Sequence, residues 1–179
     1  MKKVNILAGV FAIFIFGWHV STACQYLMGG VEYFMTYMIS GIVLAVVAFF
    51  HMIINIIVTA RLSKKTKSVK MYLKLNKEMT IQNMSGYFII GFMFVHPIVI
   101  ELTRETEIVV LFYIRFVLDV LFYICLIIHL YYALSHLLIT FGFVIRWNTY
   151  RIWKIGIVIV LVVLLIILIL ADAMFNLKI

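Results

Sequence analysis

Charge is scarce in this sequence. Of its 179 residues, Lys and Arg supply 15 and Asp and Glu only 7, together 12% of the chain. A soluble domain carries roughly 25% charged and roughly 45–50% apolar residues. Here 66% are hydrophobic and the mean hydropathy is +1.20. That leaves too little polar surface to cover a water-soluble globule. Proline is nearly absent, with Pro97 its one occurrence, so little interrupts long helices. Cysteine is limited to Cys24 and Cys125, both within apolar runs, with no CxxC and no zinc-ligand spacing. A disulfide scaffold, a zinc site and a thiol redox motif are therefore excluded, and both cysteines read as packing residues.

What is present is apolar sequence in long blocks. A continuous apolar run of about 18 residues or more reads as one membrane span. Five such runs occur, at about Asn5–Met28, Tyr33–Ala60, Met84–Ile100, Val109–Ile145 and Ile155–Leu170. Strands cross a membrane only in closed barrels, with alternating and weaker segments, so continuous runs mean helices. The expected fold is all-α, a single integral membrane domain over 1–179 of five transmembrane helices joined by short loops. Lys2-Lys3, an apolar stretch and Ser21-Thr22-Ala23 imitate a signal peptide. The stretch also carries Trp18 and His19 and continues past the small-residue site, so it counts as the first span.

The basic residues set an orientation. Lys2 and Lys3 precede span one. Arg61, Lys64, Lys65, Lys67, Lys70, Lys74 and Lys77 separate spans two and three, and Arg146, Arg151 and Lys154 separate spans four and five. The opposite loops hold Glu32, then Glu101, Arg104, Glu105 and Glu107. The positive-inside rule then places the N-terminus in the cytoplasm and the C-terminus outside. The net charge of +8 is mostly topology, and short basic loops beside spans argue against nucleic-acid binding. The long basic loop suits lipid headgroups or a cytoplasmic partner equally.

The chemistry lies in the five histidines, all inside spans: His19, His51, His96, His129 and His136. Ionisable residues at that depth are rare and mark function by default. Interhelical hydrogen bonding explains any one of them alone about as well, but four histidine-bearing spans are harder to account for that way. A second pattern accompanies them. Ala8-Gly9 precedes His19, Ser40-Gly41 precedes His51, and Ser85-Gly86 precedes His96, each by eleven and ten positions. Eleven residues is about three helical turns, roughly 16 Å, and returns to nearly the same face. Small residues also serve close helix packing. The repeated offset favours a purpose, in which each helix offers a ligand at one depth and a hole at another. A bundle holding two stacked haems requires that. Two imidazoles from two helices ligate a b-type haem, tuned by ligand and burial. With alternating span directions, His19 and His96 fall in the outer half and His51 in the inner half. An outer haem between His19 and His96 follows, and an inner haem between His51 and a histidine of span four. His129 and His136 lie seven apart on one face, and spacing leaves both open; counting from the basic boundary favours His136.

Three stretches resemble the dihaem cytochrome b anchor of succinate:quinone oxidoreductases, closest to the epsilon-proteobacterial quinol:fumarate reductase type. Leu7-Ala8-Gly9-Val10-Phe11 through His19 resembles the first-helix Gly-x9-His. Gln82-Asn83-Met84-Ser85-Gly86-Tyr87 through Val95-His96 is similar to Gln-x-Met-Thr-Gly-Phe…Val-His. His129 through Leu134 to Phe141-Gly142-Phe143 resembles His-x4-Leu…Trp-Gly-Trp. The resemblance covers most of the chain. It implies His19 and His96 as iron ligands of a distal haem and His51 and His129 as those of a proximal one, with arginine in the relative at His136. Ser40, Gly41, Ser85 and Gly86 would make room for the two haem b groups. It also implies a flavoprotein subunit carrying FAD, an iron–sulfur subunit, menaquinone or another quinone as substrate, and a bacterial cytoplasmic membrane. A dimer of such heterotrimers is one assembly consistent with it. This chain would be the quinone-reactive electron-transfer subunit of an oxidoreductase and would do no dicarboxylate chemistry. There are departures. The family's glutamate two residues before the span-four ligand is Ile127 here, its lysine eleven after is Thr140, and the tryptophan at the inner end of its third helix is Met79. Arg61, Gln82 and Arg146 are the substitute haem-propionate partners.

Glu32 is the candidate proton acceptor for quinol oxidation, although a solvated loop carboxylate is at least as good a reading. Arg115 and Asp119, four apart, read as a structural ion pair near the outer interface, and Asp172 as an interface residue. Trp147 and Trp153 fit an aromatic belt. Pro97 either aims His96 or bends the helix for packing. The rival readings are a cytochrome b anchor of a hydrogenase, formate dehydrogenase or nitrate reductase, a metal-ion transporter, and a haem-free structural anchor. The first favours two ligands about fourteen apart on one helix, whereas here the same-helix pair is seven apart. The second needs acidic or thiol ligands beside the histidines.

Overall fold

The computed structural model describes residues 2–27, 33–65, 77–105, 109–142 and 147–177. Every described element is helical. Helix α1 is Lys2–Leu27, a short π-helical segment covers Tyr33–Met38, and α2 is Ile39–Lys65. Helix α3 is Lys77–Glu105, α4 is Val109–Thr140 and α5 is Trp147–Leu177. All five α-helices are long and apolar enough to cross a membrane. At 26 to 32 residues they are roughly 39–48 Å long, more than a hydrocarbon core of roughly 30 Å requires. Helix is the form this sequence takes because in lipid each backbone N–H and C=O must be satisfied within its own segment.

Helices run beyond the apolar runs that mark them in the sequence, notably at the starts of α3 and α5. Helix α3 begins at Lys77 rather than near Met84, and α5 begins at Trp147 rather than near Ile155. The added turns carry polar residues that pair with one another. Lys154 Nζ lies 3.7 Å from Glu78 Oε1, and its cation rests over the rings of Tyr131 and Tyr150 at 5.2 and 4.8 Å. Such contacts let the ends of a spanning helix stay helical past the hydrocarbon. Helix α4 instead stops at Thr140, short of Ile145. Gly142 follows at φ 76°, a left-handed turn that suits a residue without Cβ and closes the helix. Pro97 is accommodated inside a continuous α3.

The described residues fall into two compact units, Met1–Asn76 with Ala171–Ile179, and Lys77–Leu170. Each is built on an antiparallel helical hairpin, α1 with α2 in the first and α3 with α4 in the second. Their polarity is inverted relative to a soluble protein. Thr22, Ser40, Asn83, Ser85, Thr103, Arg115, Asp119, Ser135 and Asp172 are buried, while Leu7, Phe14, Tyr113 and Ile152 are among the most exposed side chains. Small and polar residues at helix contacts with large apolar residues facing outward is the arrangement lipid favours. Asp172, near the end of α5, is buried against protein, with 1% of its surface exposed. A carboxylate in the last turns of a helix this apolar is costly to leave in hydrocarbon.

A candidate histidine-ligand site in two matched hairpins

In the α1–α2 hairpin, His19 lies against Gly41. A Cβ built on Gly41 would stand 3.2 Å from His19 Cε1. His51 lies against Gly9 in the same way, at 3.4 Å. Ten residues up α1 and ten back along α2 convert one contact into the other, so both belong to one antiparallel register. The two contacts are roughly 15 Å apart along the helices. The ring of His19 is oriented by its other nitrogen. Ser40 Oγ donates to the Tyr37 carbonyl at 2.7 Å, so at 3.1 Å it accepts from Nδ1–H of His19. Thr22 Oγ1 lies 2.7 Å from the same oxygen, which is fully buried. Tyr37 stacks on His19 at 5.4 Å and on Tyr26 at 4.9 Å. The π-helical segment supplies both Tyr37 and the carbonyl that Ser40 uses; such segments recur at functional sites.

The α3–α4 hairpin repeats the plan. His129 lies against Gly86, where a Cβ would stand 3.1 Å from Cε1. Its Nδ1–H donates to the Gln82 carbonyl at 2.9 Å, with Ser85 Oγ 3.5 Å away. Ten residues further along the same antiparallel register, His96 meets Asp119. Nδ1–H of His96 donates to Asp119 Oδ1 at 2.7 Å, and Phe122 lies beside the ring at 5.7 Å. Asp119 therefore stands where the first hairpin has Gly41. Its second oxygen faces Arg115 Nε at 3.5 Å, and both side chains are buried. The ion pair read from the sequence is present, but inside the helix contact, and it engages a histidine.

In three of the four rings, then, Nδ1 carries the proton and donates it across the hairpin. That tautomer leaves Nε2 with its lone pair, the form in which imidazole binds a metal. Glycine at the facing position lets the ring sit flush on the neighbouring helix at three of the four contacts. His136, the alternative on α4, has a different setting. Its Nε2 lies 3.6 Å from Glu78 Oε2, and the two side chains are 40% and 54% exposed. Of the other residues singled out in the sequence, Arg61 is exposed near the end of α2, and Gln82 contributes its backbone carbonyl to His129. Cys24 and Cys125 are free thiols within helices, and Trp153 is exposed. Glu32 and Arg146 lie outside the described residues.

The sequence reading missed Asp119 as a partner of His96. The signal was available, since Asp119 precedes His129 by the ten residues that separate each glycine from its histidine. The fourth instance carries aspartate where the other three carry glycine. In comparisons with known proteins, the chain matches no protein-family model, no curated protein and no solved structure.

Proposed function

We propose that this chain is the dihaem cytochrome b anchor of a succinate dehydrogenase or fumarate reductase complex in a bacterial cytoplasmic membrane. The observation that carries the reading is the repeated setting of the histidines. His19, His96 and His129 each have Nδ1–H engaged across a hairpin, on Ser40, Asp119 and Gln82. A hydrogen bond from the second ring nitrogen fixes tautomer and ring orientation, as it does for metal-ligating histidines, and facing glycines let the rings of His19, His51 and His129 sit close to the neighbouring helix.

The residues present fit the group. Each proposed haem takes two imidazoles, His19 with His96 and His51 with His129, the pairing suggested by span direction and by the family resemblance. The burial of His129 against Gly86 supports it over His136, whose imidazole is occupied at a more exposed ion pair. When bound, haem supplies one-electron transfer between membrane quinone and the iron–sulfur and FAD-carrying partners. The chain's own part is to fix the ligand rings, exclude water from them and present them in lipid. Glu32 is proposed to accept a proton from quinol. The N-terminus and the basic loops face the cytoplasm, where the partner subunits dock.

The test is haem content per chain, by pyridine haemochrome assay and a reduced-minus-oxidised spectrum. Two b haems are expected in the purified protein, and about one in His129→Ala. His136→Ala should keep both. Folded protein without haem would overturn the reading.

A further inference from the structure

The two hairpins share a register but not a charge. At the contact with His19 the neighbouring helix offers glycine, and the hydroxyl of Ser40 accepts the Nδ1 proton. At the matching contact with His96 it offers a carboxylate at 2.7 Å. His129 uses a backbone carbonyl. Among these three rings, His96 has the anionic acceptor.

A buried carboxylate is expensive, and a packing role would not require one, since Gly41 fills the same position. Arg115, on the next turn of α4, provides the opposite charge that makes the burial tolerable. Its approach, at 3.5 Å, is to Oδ2; the oxygen facing His96 is the other one, at the shorter distance. Oδ2 accepts no hydrogen bond among the described residues. The carboxylate's short, charge-assisted bond is thus given to the imidazole.

We infer that Asp119 is a positioning residue that makes His96 a more electron-donating ligand and so lowers the reduction potential of the metal centre bound through it. This rests on the dihaem reading. A carboxylate on the outer nitrogen of a ligating imidazole raises the basicity of the inner one. A more basic ligand stabilises ferric over ferrous iron, because one-electron reduction removes a positive charge that the ligand was stabilising. Of the hydrogen bonds that orient His19, His96 and His129, the one at His96 is made to a carboxylate, so the haem bound through His96 would differ electronically from the other.

The experiment is equilibrium redox titration of the purified, haem-loaded protein, followed in the visible bands. Wild type is compared with Asp119→Asn, Asp119→Glu and the double variant Arg115→Gln/Asp119→Asn. The double variant removes both charges together and leaves no buried charge uncompensated, so it remains informative if Asp119→Asn folds poorly. One haem should become easier to reduce by at least tenfold in its equilibrium constant, about 59 mV for a single electron, in both neutral variants. The other haem should move much less, and Asp119→Glu should lie nearer wild type. Two haems with unchanged potentials in the neutral variants would overturn the inference while leaving the dihaem reading intact. Wild-type protein that folds without haem would overturn both.

Discussion

Gly86→Ala adds one methyl group where the structure leaves no room for it. The new Cβ would stand 3.1 Å from His129 Cε1 and 3.3 Å from Nδ1. Carbon atoms at their optimum are about 3.5–4.0 Å apart, so the ring must retreat by a few tenths of an ångström. It is not free to do so, because Nδ1–H is bonded at 2.9 Å to the carbonyl of Gln82, one turn earlier on the same helix. Two terms oppose each other. Alanine is the better helix former by about 1 kcal/mol, while overpacking a tight contact costs about 1–3 kcal/mol. Gly91→Ala is the control, since it lies on the same helix and a Cβ there meets nothing within 4 Å. The propensity term cancels between the two variants. Gly86→Ala should therefore be less stable than Gly91→Ala by about 1–3 kcal/mol. Gly41→Ala, at 3.2 Å, should come next, and Gly9→Ala, at 3.4 Å, should be mildest. Denaturant unfolding in detergent micelles, followed by circular dichroism, measures the series. If Gly86→Ala is as stable as Gly91→Ala, the close seating of His129 on α3 is wrong.

Other substitutions probe the polar contacts. Ser40→Ala leaves Nδ1–H of His19 without its acceptor and removes the oxygen beside Thr22. A loss of about 1–3 kcal/mol is expected for an unsatisfied buried donor, read by the same unfolding assay; an unchanged midpoint would show that water replaces the hydroxyl. Arg115→Met strands the Asp119 carboxylate and should cost about 3–5 kcal/mol. Replacing Arg115 and Asp119 together with apolar residues should cost less than that single change, which a double-mutant cycle checks. Glu78→Gln removes the partner of Lys154 and His136, but at 54% exposure that carboxylate is well solvated. A change of about 1 kcal/mol or less is expected, and a larger one would mean that the end of α3 is more enclosed than it is here.

The helices were legible in the sequence because their cause is local. Apolar residues in runs long enough to span a bilayer, with polar groups absent for about 18 residues at a time, leave the backbone no partner but itself. The places where the reading failed are those where a helix ends by something other than hydropathy. Glu78 and Lys154 look like loop residues until their contact is seen, and Gly142 stops α4 inside an apolar run. The burial of Asp172 was not legible for a related reason. A charge near the end of an apolar run reads as interfacial, and only packing shows it enclosed.

The sequence by itself determined five long helices, the histidines upon them and the spacing from glycine to histidine, since these depend on order along one chain segment. It could also rank which residues were candidates, because an ionisable group in hydrocarbon is costly wherever it falls. The tertiary structure alone decided what each histidine touches. That Gly9 receives His51, that Gly86 receives His129 and that Asp119 receives His96 depend on the sliding register of two antiparallel helices. Side-chain packing sets that register.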